Sequence, residues 1–217
     1  MSEDILDRIV RQLGGTAPAP HPGSLRDFPG RLNLPLDLLP MPLDRLRPAS
    51  VLIPIVRDPA GPQVLLTQRT AHLRNHGGQI SFPGGGAEPT DVDAAQTALR
   101  ESHEELGLPP DQVEVVGYLD PHLTVSGFCV TPVVGFLPPD LILQPDPREV
   151  SEVFQVPLAF LMDPANHQRR VAQVQGRELV YHAILYGPWN IWGATAAMIV
   201  NLLDKLAPAL PEVADDE

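Results

Sequence analysis

Residues 84–107 constrain this chain more than any other stretch, because a glycine bend runs into a helical segment that must satisfy two different faces. The run Ser81-Phe82-Pro83-Gly84-Gly85-Gly86 brings three successive glycines, which let backbone approach a ligand or metal with no side chain in the way. Thr90 with Asp93 three positions on forms a capping-box pattern that predicts a helix from Asp91 to about Leu106, stopped by Gly107. At about 100° per residue, Ala95, Ala98, Leu99, Ser102 and Leu106 share a small, apolar face fit to pack on a sheet. Glu105 lies about 40° and Glu104 about 60° from Glu101, so three carboxylates share a different face. Like charges at i and i+4 destabilise a helix by a few tenths of a kcal/mol per pair. Only Arg100 is basic among residues 91–108. Most acidic faces of this kind are merely solvated. The sharper reading is a hard divalent cation such as Mg²⁺, which prefers oxygen ligands and keeps several waters while binding carboxylates and substrate phosphates.

The rest of the chain supplies a sheet for that helix. Ile5, Ile9, Val10 and Leu13 recur at helical spacing before Gly14-Gly15, predicting a short helix over 3–13. From Thr16 to Pro48 the chain is rich in proline with scattered leucines, an extended arm expected to lie on the domain. Residues 51–56 and 64–67, joined by the turn Asp58-Pro59-Ala60-Gly61, predict a hairpin. Further strands are expected at 113–119, 128–137, 141–144, 171–175 and 178–185, and a last helix from about Ile191 to Leu206, ended by Pro208. Strands on both sides of one central helix argue for an α/β fold with a mixed sheet flanked by helices. The domain reading is an N-terminal helix and arm (1–48), a main domain carrying the glycine bend and acidic helix (49–207) and an acidic tail (208–217).

Charge and length exclude several functions. With 27 acidic and 15 basic residues the net charge is −12, the wrong sign for coating nucleic acid or anionic lipid. No apolar stretch reaches the roughly 18 residues needed to span a bilayer, and the first residues are acidic and amphipathic, unlike a secretory signal. A cytoplasmic setting is expected. Cys129 sits in the apolar run 128–134 and reads as a buried thiol. His72, His76, His103 and His122 lack tight metal-ligand spacing, which argues against zinc. No G-x-x-x-x-G-K-[ST] occurs, so phosphate is not held by a P-loop.

Gly86 followed by Arg100-Glu101-Ser102-His103-Glu104-Glu105-Leu106-Gly107-Leu108 resembles the Nudix box: G, five residues, E, seven residues, R-E-U-x-E-E-x-G-U, with U apolar. Val92 stands where the first Glu belongs, between Asp91 and Asp93, and Ser102 replaces the first U. Upstream, Leu65-Leu66-Thr67-Gln68-Arg69-Thr70, then Arg74, Gly78 and Phe82-Pro83-Gly84-Gly85 resemble the coenzyme A diphosphatase subgroup signature, L-L-T-x-R-S/A-x3-R-x3-G-x3-F-P-G-G, with only Thr70 departing. Together the two motifs cover residues 65–108.

The resemblance implies a Nudix-like α/β/α sandwich and a Mg²⁺- or Mn²⁺-dependent hydrolase. Its substrate would be the diphosphate of coenzyme A, split into 3′-phosphoadenosine 5′-phosphate and 4′-phosphopantetheine. Glu101, Glu104 and Glu105 would hold metal, with the Gly85 carbonyl as a further ligand, and Arg100 would orient a glutamate. Arg69 and Arg74 would face substrate phosphates beside Gly84, Gly85 and Gly86, since the planar guanidinium fork suits phosphate oxygens; internal salt bridges are the equal alternative. Glu149 and Glu152 are reserve general bases, though ordinarily such acids are surface groups. Trp189 and Trp192 read as packing at the start of the last helix, or less simply as an aromatic contact to adenine. Three rivals stay open: a diphosphatase for a sugar nucleotide or dinucleotide, a Nudix-like module that binds without cleaving, and an acidic scaffold.

Overall fold

A computed structural model describes residues 4–30, 32–72, 77–174 and 176–207. In chain order its principal elements begin with α1 (Ile5–Leu13), β1 (Arg47–Val56), β2 (Gln63–Arg69), β3 (Ile80–Ser81), β4 (Gly84–Gly86) and α2 (Ala94–Leu106). There follow β5 (Glu114–Tyr118), β6 (His122–Leu123), β7 (Phe128–Leu137), β8 (Val150–Pro157), α3 (Leu158–Leu161), β9 (His167–Val174), β10 (Arg177–Tyr186), β11 (Trp189–Trp192) and α4 (Ala194–Leu206).

β1 is apolar at successive positions because both of its faces are covered, the pattern of a strand buried between layers. Ile53 and Ile55 join a core with α1 and α4 through Ile9, Leu13, Ala196, Ile199 and Leu202. Leu52 and Val56 point the other way, to Ala98, Leu106 and Leu108 on and just beyond α2. The result is a helix/sheet/helix sandwich. β1 pairs in parallel with β7 over its whole length and antiparallel with β2 and β4, so the sheet is mixed. The order is β3-β2-β1-β7-β5, with β8 also on β2 and β6 on β7. β9, β10 and β11 form a second, antiparallel sheet.

The expected hairpin forms, with Ile55 opposite Val64. Four sequence expectations need correction. Helix α2 starts at Ala94 rather than Asp91: Asp93, not Thr90, is the N-cap, its Oδ1 accepting from the Gln96 N–H at 2.8 Å while Gln96 Oε1 accepts from the Val92 N–H at 2.6 Å. Residues 141–144 are not a strand. The Gln144 and Asp146 N–H groups instead donate to the last carbonyls of α2, those of Leu106 and Glu105, at 2.7 and 2.9 Å. Residues 150–157 are a strand, signalled by the apolar alternation Phe154-Gln155-Val156 and carried on β2 with Phe154 opposite Leu66. The last helix begins only at Ala194, because 189–192 pairs with β10 as β11. Pro208 and the acidic tail lie outside the described residues.

The arm's leucines do find a place. Leu25, Leu34, Leu38, Leu43 and Leu46 bury themselves with Leu123 and Cys129 in a third cluster. Burial pushes the Cys129 thiol up to about 11, as befits an inert core cysteine.

Candidate active site

The glycine bend is a strand edge rather than a free loop, and its glycines are required by contact. Gly84 has φ +151, and a Cβ there would lie 2.3 Å from the Ser50 carbonyl oxygen. A Cβ at Gly85 would lie 2.4 Å from Glu101 Oε2. What approaches the bend so closely is therefore the protein's own carboxylate from α2.

That helix holds its acids in three different environments. Glu105 is 3% exposed; its Oε2 accepts from the Gly84 N–H at 3.2 Å and its Oε1 from Arg69 Nη1 at 3.1 Å. Burial pushes the Glu105 carboxyl up to about 7, against the pull of Arg69 and the Gly84 N–H, with Glu149 and Glu101 adding repulsion. Burial also raises Glu101, opposed by Arg100, with Glu104 and Glu149 pushing it further up. Glu104 is largely exposed and meets Arg100 Nη1 at 3.3 Å.

Arg100 is the hub of the second network. Its Nε and Nη2 donate to the two oxygens of Asp91, each at 3.0 Å, and Nη2 also donates to the Gly86 carbonyl at 2.9 Å. Nη1 reaches Glu101 at 2.9 Å. Asp91 accepts further bonds from Thr97 Oγ1 and the Glu88 N–H, and the guanidinium holds its carboxyl down at about 2. The same contacts raise Arg100 above its ordinary value.

Five carboxylates, Asp91, Glu101, Glu104, Glu105 and Glu149, thus meet two guanidinium groups, those of Arg69 and Arg100. The family model described as NUDIX domain matches residues 46–174. A protein of Photorhabdus laumondii named "Uncharacterized Nudix hydrolase NudL" is 41% identical over 84% of this chain and 98% of its own length. The NudL of Escherichia coli K12 is 42% identical over 82% of this chain and 93% of its own.

The chain belongs to the Nudix family. It is a Nudix hydrolase, with the α/β/α sandwich described above. Among solved structures, the Nudix hydrolase RenU of M. smegmatis is 27% identical over 52% of this chain and 71% of its own, with a TM-score of 0.45. An Ap4A hydrolase of C. elegans is 20% identical over 51% and 80%, again at 0.45.

Within the Nudix box the substitution at Val92 now has a local explanation. Val92 is 83% exposed, while Asp91, one position earlier, turns inward and takes the Arg100 guanidinium with both oxygens. Sequence reasoning placed Asp91 beside the gap without giving it a role; the signal was an acid one residue out of register with an arginine nine residues on. Of the two readings of Arg69, the structure shows the internal salt bridge: 3.1 Å to Glu105 and 3.7 Å to Glu149. Arg74 lies outside the described residues. Glu149 stands at this site, whereas Glu152 faces elsewhere, accepting from Trp189 Nε1 at 3.2 Å.

Nudix hydrolases generally use divalent metal ions. The donor set here fits one, being entirely carboxylate oxygen with Glu101 and Glu105 both raised by desolvation and by the nearby Glu149 carboxylate. These side chains do not form a ready cage: among the described residues no three His, Cys, Asp or Glu side chains are grouped to hold an ion. Glu101 and Glu104 are drawn onto Arg100, and Glu105 onto Arg69. No helix among the described residues is long and apolar enough to cross a membrane.

Proposed function

We propose that this protein is a metal-dependent diphosphatase that hydrolyses coenzyme A or its derivatives to 3′-phosphoadenosine 5′-phosphate and 4′-phosphopantetheine. The observation that carries the diphosphatase part is the seating of Glu101 and Glu105, two desolvated carboxylates, against the Gly84-Gly85 bend. The substrate part rests on the sequence signature over residues 65–85.

A bound Mg²⁺ or Mn²⁺ supplies charge neutralisation at the diphosphate and acidifies water. Glu101, Glu105 and Glu104 are the residues that would hold it, with the Gly85 carbonyl beside them. The chain's own part is positional. Asp91 fixes Arg100, and Arg100 in turn orients Glu101 and Glu104. The Gly84 N–H and Arg69 fix Glu105, and Arg69, beside the residues that would hold the ion, would be the guanidinium to meet phosphate oxygens. In the reaction the oxygen of water bonds to one phosphorus as that phosphorus's bridging P–O bond breaks, the bridging oxygen leaves with the other phosphate, and the proton of the water passes to a carboxylate such as Glu149. The hydrolase unit spans 49–207, with 1–48 as an arm. A small-molecule substrate in the cytoplasm, without nucleic acid or membrane partners, suits the net charge of −12.

The test is incubation of the full chain with coenzyme A and Mg²⁺ or Mn²⁺, with products identified by mass. Both named products should appear, and chelation should stop their formation. Cleavage of sugar nucleotides or dinucleotides in preference to coenzyme A would replace the substrate; tight nucleotide binding with no cleavage of any diphosphate would replace the enzyme by a binding module.

A further inference from the structure

A second concavity opens beside the acidic site, between residues 77–80 and the β10–β11 hairpin. It has a volume of about 440 Å³ and is lined by Gln68, Gly78, Gln79, Trp189, Asn190 and Trp192 among others. That size falls in the range of small-molecule sites. None of the described lining residues is charged, and among them the cleft offers indole faces and amide groups.

Its walls are built, and they are tied to the acidic site. Trp189 is already committed: its ring stacks on Phe154 at 4.0 Å with the planes 1° apart, and its Nε1 donates to Glu152. Trp192 is different, touched edge-on by Tyr181 at 6.0 Å and 41% exposed. Gly187 at φ +55 followed by Pro188 gives the two-residue turn that holds both tryptophans on one short strand. Across the cleft, Gln68 Nε2 donates to the Gly78 carbonyl at 3.3 Å. The Gly78 N–H donates to the Arg69 carbonyl, and the Arg69 N–H to the Gln79 carbonyl, at 3.0 and 2.9 Å. The far wall is therefore bonded to both backbone groups of the residue whose guanidinium holds Glu105.

A flat, uncharged heterocycle with donors and acceptors on its rim matches this lining: the ring stacks on an exposed aromatic face and the amides address its edge. We propose that the cleft takes the nucleobase of the substrate, with Trp192 as the stacking surface and the amides of Asn190 and Gln68 as edge contacts. This rests on the diphosphatase reading, and for coenzyme A it puts adenine in the cleft and the diphosphate on the far side of Arg69. An extended aliphatic amide such as pantetheine is also neutral, but it makes less use of an open indole face.

The deciding measurement is calorimetric titration of the full-length, metal-free protein with 3′-phosphoadenosine 5′-phosphate and, separately, with 4′-phosphopantetheine. Trp192→Leu should weaken the adenine nucleotide on the order of 10-fold and leave phosphopantetheine unchanged. Asn190→Ala, an exposed position that no fold contact requires, should weaken the nucleotide by a smaller factor. In turnover assays Trp192→Leu should raise KM for coenzyme A with kcat nearly constant. Unchanged nucleotide affinity in both variants would overturn the proposal, as would weakening confined to phosphopantetheine or a wild-type protein that does not bind the nucleotide. Failure of the wild type to cleave coenzyme A would instead overturn only the substrate reading, because the titrations need no turnover.

Discussion

Helix α2 and the arm of residues 16–46 are fastened to the same protein by opposite means. The arm is held chiefly by leucines, five of them buried around Leu123 and Cys129, with polar ties at Thr16, Asn33 and Asp37. α2 has an apolar footing in Ala98 and Leu106, but its exposed side and its C-terminal turn are held by ion pairs to Arg69 and Arg100 and by close contact with glycine. Apolar packing is non-directional and tolerant; buried charge is costly unless every partner is in place. A region built the second way is less economical as a scaffold, and the carboxylates that make it so are those that the proposed chemistry needs. Substitutions in the two regions should therefore separate activity from stability.

The largest separation should come from Glu105→Gln. The amide keeps the size of the side chain and can still accept from the Gly84 N–H, so the fold should survive, while turnover falls on the order of 100-fold or more for loss of a ligand charge. Thermal melting beside kcat measures both. Normal rates in a folded Glu105→Gln protein would remove Glu105 from the chemistry and make α2 a scaffold like the arm.

Asp91 comes next. Removing it takes the partner of Arg100 Nε and Nη2 and leaves the guanidinium with Glu101, Glu104 and the Gly86 carbonyl, a loss of about 2 kcal/mol in stability. Asp91→Ala should also lower kcat, because Arg100 would no longer be held against Glu101 and Glu104. Restoring the acid one position later, as Asp91→Ala with Val92→Glu, should recover part of both if the role is to grip Arg100. Recovery of neither would mean that Asp91 matters as a turn residue, through its bond to the Glu88 N–H, and not through the arginine.

How much of this was legible beforehand differs between the regions for a physical reason. Helical period, the apolar runs and the Asp58–Gly61 turn are local, so the sandwich, the mixed sheet and the convergence of Gly84, Gly85, Glu101 and Glu105 could be read from spacing. The partners of the charges could not. Whether Arg69 meets a phosphate or Glu105 depends on β2 being drawn beside the end of α2, a contact 36 residues apart in the chain. Residues 141–144 misled because alternating leucines carry a strand period, whereas the N–H groups of this segment are spent on the carbonyls at the end of α2. The strand 150–157 is hard to read from sequence because exposed Ser151, Glu152 and Gln155 break its apolar alternation. The arm offers the opposite lesson: its scattered leucines predict only that it lies on the domain, and the cluster they form with Leu123 and Cys129 depends on contacts far apart in the chain.

Leu25→Ala tests the arm directly. Leu25 is 1% exposed, and truncation should cost about 2–3 kcal/mol with kcat per folded molecule unchanged. A drop in kcat out of proportion to the folded fraction would tie the arm to the site and weaken the contrast between the two regions.

The smallest effect is carried by pH, and it acts through a polar clamp on the arm, the Asn33 amide. Asn33 pairs with the backbone of Leu123, its Oδ1 accepting from the N–H at 2.7 Å and its Nδ2 donating to the carbonyl at 2.9 Å, which fixes the amide's orientation. The same Nδ2 lies 3.3 Å from His122 Nε2, so that nitrogen must be the acceptor and the imidazole neutral. Burial lowers His122 to about 4. Because the unfolded chain takes up a proton near 6.5 and the folded chain only near 4, stability is fully present above 6.5 and is lost as pH falls through that window. With the ring only partly buried, solvent screening should hold the loss to the order of 1–2 kcal/mol. Glu105 runs the other way: raised to about 7, it makes the metal-free fold lose stability as pH rises from 4.5 towards 7. The two slopes overlap and partly cancel in the wild type, so the measurement belongs in the Glu105→Gln protein, where acid destabilisation between 6.5 and 4 should stand out and should vanish on adding His122→Gln. A slope that survives His122→Gln would place the titrating group elsewhere and leave the arm's attachment indifferent to pH.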